Sequence, residues 1–236
     1  MKSLVIIPTY NEIENIENII KTVLALKDGF HILIVDDQSP DGTADKVKEL
    51  INHNERLFIE ERTEKSGLGT AYIHGFKWAI NKKYDYIFEM DADFSHDPHD
   101  LPRLLKRCQE EDCDVCVGSR YIKGGKVENW PKSRWLISYY ASIYVRLILM
   151  IGIKDTTAGF KCYKRKVLET INLDKIWFIG YAFQIEMKYS AIKLGFKVKE
   201  IPITFKDRVL GDSKMNMGIF KEAFWGVIKL KTKSFK

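Results

Sequence analysis

Leu4-Val5-Ile6-Ile7 is an unbroken apolar run stopped by Pro8, and behind it Ile13, Ile16, Ile20, Val23 and Leu24 recur at helical spacing. A short continuous run reads as a strand buried on both faces. A recurrence every three to four residues reads as one face of a helix. The alternation continues with strands over 32–35, 57–60, 86–90 and 115–118 and helices over 43–51, 68–80 and 101–108. Strand and helix in turn across the first 120 residues predict an α/β fold, a mainly parallel sheet with right-handed crossovers, flanked by helices.

The second half is less regular. An apolar run over 136–153 is long enough to span a bilayer, but Arg146 stands near its middle and Ser138 and Ser142 interrupt it. A central Arg costs roughly 2.5–3.5 kcal/mol even on the lenient insertion scale. The run is therefore expected as a helix packed in the core or lying on a membrane surface, not crossing it. A helix over 183–194 and a strand over 198–203 follow. Around 219–230, Phe220, Phe224, Trp225, Val227 and Ile228 alternate with lysines, and from Lys214 to Lys236 six lysines face one acid, Glu222. The expected division is one domain over 1–214 and a basic amphipathic helical tail over 215–236, drawn to a membrane interface.

Strand ends carry the polar clusters. Thr9-Tyr10-Asn11-Glu12 follows the first strand, Asp36-Asp37 the second, Asp91-Ala92-Asp93 the fourth and Gly118-Ser119-Arg120 the fifth. In open parallel sheets ligands bind beyond the carboxyl ends of the strands, so these four clusters outline one site.

Asp91 and Asp93 are the sharpest signal. Two carboxylates two residues apart on extended chain face one spot and repel each other. Mg2+ or Mn2+ resolves that repulsion, taking one or two carboxylates and sharing its remaining positions with a diphosphate. Asp37 is suited to ribose or base hydrogen bonds, whereas Asp41 and Thr43 fit a turn and the start of a helix. Tyr10 offers a flat face for a nucleobase, with Thr9 or Asn11 as caps of the first helix. Arg120, Arg134, Arg208 and Lys214 are the cations for phosphate contact. His96 and His99 lie near the acidic pair and fit either a helix entrance or a metal contact. The chain has no Walker-type phosphate loop, and Gly67-x-Gly69 is too short for a dinucleotide fingerprint.

The remaining features narrow the class. Net charge is +6 and hydrophobic content 45%, which suits one substantial core. The basic tail is spaced like a helix face and not like a base-stacking platform, so no nucleic-acid partner is expected. Cys113-x-x-Cys116 stands alone in a strand-like run, and small buried thiols in a reducing cytoplasm are expected. Met1-Lys2-Ser3-Leu4 enters the first strand directly, without a leader pattern.

Together these residues resemble glycosyltransferase family 2, and within it the dolichol-phosphate (polyprenol-phosphate) mannosyltransferases. The matching runs are Ile7-Pro8-Thr9-Tyr10-Asn11-Glu12, Val35-Asp36-Asp37 with Ser39-Pro40-Asp41-Gly42-Thr43, and Met90-Asp91-Ala92-Asp93. Gly118-Ser119-Arg120-Tyr121, Lys123-Gly124-Gly125, Glu128-Asn129-Trp130-Pro131, Arg134, Asp207-Arg208, Gly211 and Ser213-Lys214 follow in order.

The resemblance implies a GT-A (Rossmann-like) catalytic domain over 1–214. It implies a GDP-mannose donor, a dolichyl or polyprenyl phosphate acceptor, and inverting transfer on the cytoplasmic face of a membrane, with room for a small membrane subunit as partner. Pro8, Tyr10, Glu12, Val35 and Asp37 would hold the nucleoside. Asp91, Ala92 and Asp93 would hold metal and diphosphate, and Arg120, Arg134, Arg208 and Lys214 the phosphates, with Asp91, Asp93 and Arg208 nearest the chemistry. Ser95 stands where relatives carry a Gln metal ligand, which leaves a third protein ligand unsupported. Two other readings stay open. One is transfer of a different sugar, such as glucose from UDP-glucose, for which a hydroxyl acceptor would need Asp155 as base. The other is non-catalytic binding of a nucleotide sugar or lipid phosphate.

Overall fold

A computed structural model describes residues 1–180, 182–207 and 217–234. The first half alternates as expected: β1 (Ser3–Thr9), α1 (Ile13–Leu24), β2 (His31–Asp36), α2 (Thr43–Ile51), β3 (Leu57–Glu61), α3 (Leu68–Asn81), β4 (Tyr86–Glu89), α4 (Leu101–Gln109) and β5 (Val115–Ser119). The second half holds β6 (Lys126–Glu128), α5 (Lys132–Leu149), β7 (Lys161–Lys164), α6 (Arg165–Thr170), α7 (Ala182–Lys193), β8 (Val198–Pro202), β9 (Thr204–Lys206) and α8 (Met217–Leu230).

Among the described residues, seven strands form one sheet in the order β3-β2-β1-β4-β7-β5-β8, and β6 pairs with β9 beside it. The apolar runs are unbroken because both faces of the sheet are covered. Leu4, Ile6, Leu33 and Val35 enter one core with Ala71, Tyr72 and Phe76 of α3. Val5, Ile7, Ile32 and Ile34 enter the other with Ile16, Ile20 and Val23 of α1 and Val47 of α2. Each such fully buried aliphatic side chain contributes about 1.5–3 kcal/mol. The four cysteines are free and buried, Cys108, Cys113, Cys116 and Cys162 alike, in the second of these cores.

The sheet is mainly parallel, with one strand reversed. β7 runs antiparallel between β4 and β5. Its sequence Lys161-Cys162-Tyr163-Lys164 has no apolar run and gives no strand signal. It is a strand by its ladders to β4 and β5 on either side, and Lys161 lies opposite Glu89 in that register, their fully buried side chains paired at 3.1 Å.

The long helix also differs from expectation. α5 begins at Lys132, after Pro131, and ends at Leu149, where Met150 takes a left-handed conformation at φ 55°. Its polar first turn, Lys132-Ser133-Arg134, lies outside the apolar run that marked 136–153. One stripe (Ser142, Val145, Leu149) is buried. Leu136, Ile137, Tyr140 and Leu147 are exposed, as is Met150 just beyond. Among the described residues no helix is long and apolar enough to cross a membrane.

Candidate active site

β2, β1 and β4 are parallel neighbours, so their carboxyl ends lie on one edge of the sheet. That edge brings together Pro8, Tyr10 and Glu12, then Asp36 and Asp37, then Asp91 to Asp93. The loops are tied to one another. Thr9 Oγ1 donates to Asp36 Oδ2 at 2.7 Å, and Ser39 Oγ donates to the same oxygen at 2.6 Å. Asp41 accepts from the Ile13 and Thr43 amides, and Thr43 Oγ1 accepts from the Glu12 amide at 3.0 Å. One Asp-Thr pair thus joins the starts of α1 and α2. Thr9 and Asn11 do not cap α1, whose N-cap position is Glu12. Thr9 is turned to Asp36, and Asn11 stands at φ 57° with its amide on Ser39 Oγ.

Two cations complete this end. Arg62, just past β3, donates Nε and Nη2 to the two oxygens of Asp37, each at 2.6 Å, and Nη1 to Thr70 Oγ1. Lys65 Nζ lies 3.6 Å from the centre of the Tyr10 ring. Val35, by contrast, has its side chain wholly in the core, so its contact with a ligand is restricted to the backbone.

The acidic pair sits where β4 leaves the sheet. The Met90 amide still donates to Ile6 O at 3.2 Å, and beyond it the chain turns through Phe94 at φ 59°. Asp93 is nearly buried, and its Oδ1 accepts the Ser95 amide at 3.0 Å. The Asp91 side chain retains 38% exposure, with Tyr72 Oη at 3.5 Å from Oδ1. The Asp91 amide donates to His96 Nδ1 at 3.2 Å. His96 is buried against Phe160, its ring 4.9 Å away and within 10° of parallel. Burial pushes its pKa down to about 4, against the pull of Asp93. With the ring neutral and Nδ1 accepting the Asp91 amide, the 3.7 Å separation of Nδ1 and Asp91 Oδ2 is neither an ion pair nor a hydrogen bond.

Among the described residues no group of three or more His, Cys, Asp and Glu is gathered to hold a metal. Two hard carboxylates without a third protein donor suit Mg2+ or Mn2+, which complete their shells with diphosphate oxygens and water. His96 Nδ1 is already occupied by the Asp91 amide, which removes the metal-contact reading for that atom. His99 pairs with Asp97 at the entrance of the turn before α4. Beneath the pair, Lys161 bonds Glu89 and Gln184, and Tyr163 Oη donates to Glu89 Oε1 at 2.8 Å.

The basic side is more constrained than expected. Arg120 donates Nε and Nη2 to the two oxygens of Asp155, each at 2.7 Å, and Nη2 also reaches Thr157 Oγ1 at 2.8 Å. Burial would raise the Asp155 pKa, but the charge and hydrogen bonds of Arg120 outweigh it and hold the carboxyl below its ordinary range. A buried, doubly bonded carboxylate is not placed to act as a base on an acceptor. Arg134 pairs with Asp207 at 2.9 Å and lies 4.2 Å over the Trp130 ring. Arg208 and Lys214 lie outside the described residues.

An aromatic chain connects the acidic and basic sides. His96 meets Phe205 edge-on at 5.5 Å, Phe205 meets Trp130 at 5.3 Å, and Arg120 and Arg134 both lie over Trp130. Arg62, Lys65 and Tyr72 are not among the residues the sequence marks, and Asp155, marked there only as the base for a hydroxyl acceptor, is instead the partner of Arg120. For Arg62 a signal existed: Glu60-Glu61-Arg62 is a fifth polar strand end. Lys65 and Tyr72 reach the site through the packing of α3 and the loop before it, which no local pattern marks.

Comparison with known proteins bears on the family and the fold. The family model described as "Glycosyl transferase family 2" matches residues 4–171. The polyprenol monophosphomannose synthase of Mycolicibacterium smegmatis is 46% identical over 232 residues, covering 96% of this chain and 87% of the relative. The undecaprenyl-phosphate mannosyltransferase of Micrococcus luteus is 44% identical, covering 97% and 93%. Among solved structures, glucosyl-3-phosphoglycerate synthase from Mycobacterium tuberculosis, in complex with Mn2+, UDP and glucosyl-3-phosphoglycerate, superposes with a TM-score of 0.68 at 16% identity, over 97% of this chain and 78% of that one. A mannosyltransferase from Pyrobaculum calidifontis, in complex with GDP-Man and Mn2+, gives 0.60 at 16% identity, over 97% and 69%. These structures share the GT-A fold. With the fold, the acidic strand tip and the two close relatives in agreement, the chain belongs to glycosyl transferase family 2.

Proposed function

We propose that the protein transfers mannose from GDP-mannose to a dolichyl or polyprenyl phosphate with inversion, giving polyprenyl phosphate β-mannose. One observation carries the reading. An acidic strand tip and an arginine-bearing aromatic wall share one sheet edge, in a chain 46% identical to a polyprenol monophosphomannose synthase.

In this reading Pro8, Tyr10, Glu12, the Val35 backbone and Asp37 hold the nucleoside, with the base stacked on Tyr10 and Asp37 oriented by Arg62. Asp91 and Asp93, with the Ala92 backbone, face the diphosphate. Bound there, Mg2+ or Mn2+ supplies positive charge that neutralises the departing diphosphate. Arg134, with Arg208 and Lys214, holds the acceptor phosphate. Arg120, tied to Asp155, holds the wall behind it and contributes its charge at short range. An acceptor phosphate oxygen forms a bond to the anomeric carbon as that carbon's bond to the β-phosphate oxygen of GDP breaks on the opposite face. The acceptor is already anionic at neutral pH, so no general base is required, and the engagement of Asp155 by Arg120 is consistent with that. Catalysis is then positioning plus electrostatic stabilisation.

Residues 1–214 form the catalytic unit in this reading, and the tail over 215–236 works with α5 at a membrane interface. Tyr144 of α5 stacks on Phe224 of α8 at 4.6 Å. The two neighbouring helices leave Leu136, Ile137, Tyr140, Leu147, Trp225 and Ile228 exposed. At the end of α8, Lys229 lies over the Trp177 ring and is exposed, as is Lys231, whereas Lys233 is buried in an ion pair with Glu186. An exposed apolar patch with lysines at the helix end suits an anionic lipid surface. Four reduced cysteines fit the cytoplasmic face.

The test is incubation of purified protein with labelled GDP-mannose, Mg2+ or Mn2+ and a short polyprenyl phosphate, followed by organic extraction. Mannosyl lipid is expected. Label entering lipid only from UDP-glucose would replace the sugar, and donor binding without product under any condition would replace the enzyme reading.

A further inference from the structure

The geometry points to His96 as a positioning residue for Asp91, its Nδ1 accepting the Asp91 amide at 3.2 Å and so fixing the peptide from which that carboxylate projects. The inference rests on the role proposed above for Asp91.

The Asp91 amide follows the last ladder bond of this strand, from the Met90 amide to Ile6 O. It therefore takes an acceptor from elsewhere, at a position that is only partly buried. His96 supplies that acceptor from five residues on, and its own ring has little freedom. It is 3% exposed, stacked on Phe160 and braced edge-on by Phe205. Accepting at Nδ1 assigns the ring proton to Nε2, so the imidazole faces Asp91 as a neutral acceptor. Asp93 has a separate fixing through the Ser95 amide. Each carboxylate thus has its own clamp, one through its main chain and one through its side chain. Residues that orient the ligands of a cation typically change its affinity or the activity by about 10–100-fold when lost.

Two variants separate positioning from packing. His96→Asn places an amide oxygen near the position of Nδ1 and keeps the acceptor. His96→Phe keeps the aromatic stack and removes it. The first readout is hydrogen–deuterium exchange at the Asp91 amide in metal-free protein, and the second is binding of Mn2+ alone. The third is kcat against KM for donor and acceptor, beside the melting temperature. Phe is expected to melt close to wild type, exchange Asp91 at least about 10-fold faster, and lose about 10–100-fold in kcat and Mn2+ affinity with acceptor KM unchanged. Asn is expected to restore protection at Asp91 and most of the activity. An Asn variant as impaired as Phe, or a Phe variant with native exchange at Asp91, would overturn the assignment. Should Phe fail to fold, Asn against Gln decides equally, since Gln carries the same amide one carbon further out and is expected not to rescue. Exchange at Asp91 reports on this clamp even if no sugar is transferred, so its failure is distinguishable from failure of the proposed reaction.

Discussion

Arg120 and Asp155 meet through two parallel hydrogen bonds of 2.7 Å, with Asp155 fully buried and Arg120 nearly so. The pair ties the end of β5 to the loop before β7, because the Arg120 amide also donates to Asp155 Oδ2 at 2.9 Å. Breaking it leaves a buried charge uncompensated, which typically costs about 3–5 kcal/mol.

Asp155→Asn is therefore expected to lower stability by about 3–5 kcal/mol in urea unfolding at pH 7. The Asp155 carboxyl is held below its ordinary range in the folded protein, so its contribution is fully present above the unfolded value of about 3.9. It is lost as pH falls through the depressed folded value. The gap between wild type and variant should hold from pH 7 to about 5 and narrow below about pH 4. A gap that stays constant down to pH 3 would contradict the assigned ionisation.

Asp91→Asn and Asp93→Asn should each lower transfer by about 10²–10³-fold, the scale of losing one preorganised electrostatic group. Melting temperature should stay near wild type for Asp91, which is the more exposed of the two. Wild type in excess chelator should fall comparably. Full turnover in chelator would remove the cation from the scheme.

Tyr10 carries Lys65 on its ring, and stacking of a base on an aromatic ring is worth about 1–3 kcal/mol. Tyr10→Ala should raise donor KM by about 10-fold or more with little change in acceptor KM, measured by initial rates at saturating co-substrate. A change confined to acceptor KM would move the nucleoside elsewhere.

Arg134→Ala should act in the opposite sense. A hydrogen bond to a charged group is worth about 1.5–3 kcal/mol, so acceptor KM should rise by about 10–100-fold while donor KM holds. Arg208→Ala is expected to hurt acceptor use in the same way without unfolding the protein. Unchanged acceptor kinetics would dismiss the assigned role of either residue.

At the apolar patch, Leu147 and Met150 are 72% and 82% exposed, so Leu147→Glu with Met150→Glu should leave folding intact. Flotation with anionic liposomes should fall sharply, and transfer to a short soluble acceptor should persist. Deleting 215–236 tests the tail separately. Because Val227 and Leu230 are buried in the core, a melting curve must accompany that deletion. Undiminished flotation of both variants would discard the membrane face.

The legible part of the fold was the part where local pattern and tertiary role coincide. The unbroken runs of β1, β2 and β5 and the helical stripes of α1 and α2 announce themselves, because a strand covered on both faces has no polar positions to hide it. β7 was illegible for the converse reason. Its charged Lys161 is buried by virtue of Glu89 and Gln184, partners 72 and 23 residues away in sequence, so its local composition argues against what it is.

The chain's order of residues determined by itself where the chemistry gathers. Asp91 and Asp93 follow a buried strand, and in a parallel sheet every such strand ends on the same edge. Tertiary structure alone decided which of those groups are still available to a ligand. It folded Asp155 onto Arg120 and Arg62 onto Asp37, buried the Val35 side chain, and set His96 beneath the Asp91 amide. Pattern along a chain encodes which face a residue presents, whereas the partner it meets there comes from segments that only folding brings within hydrogen-bonding reach.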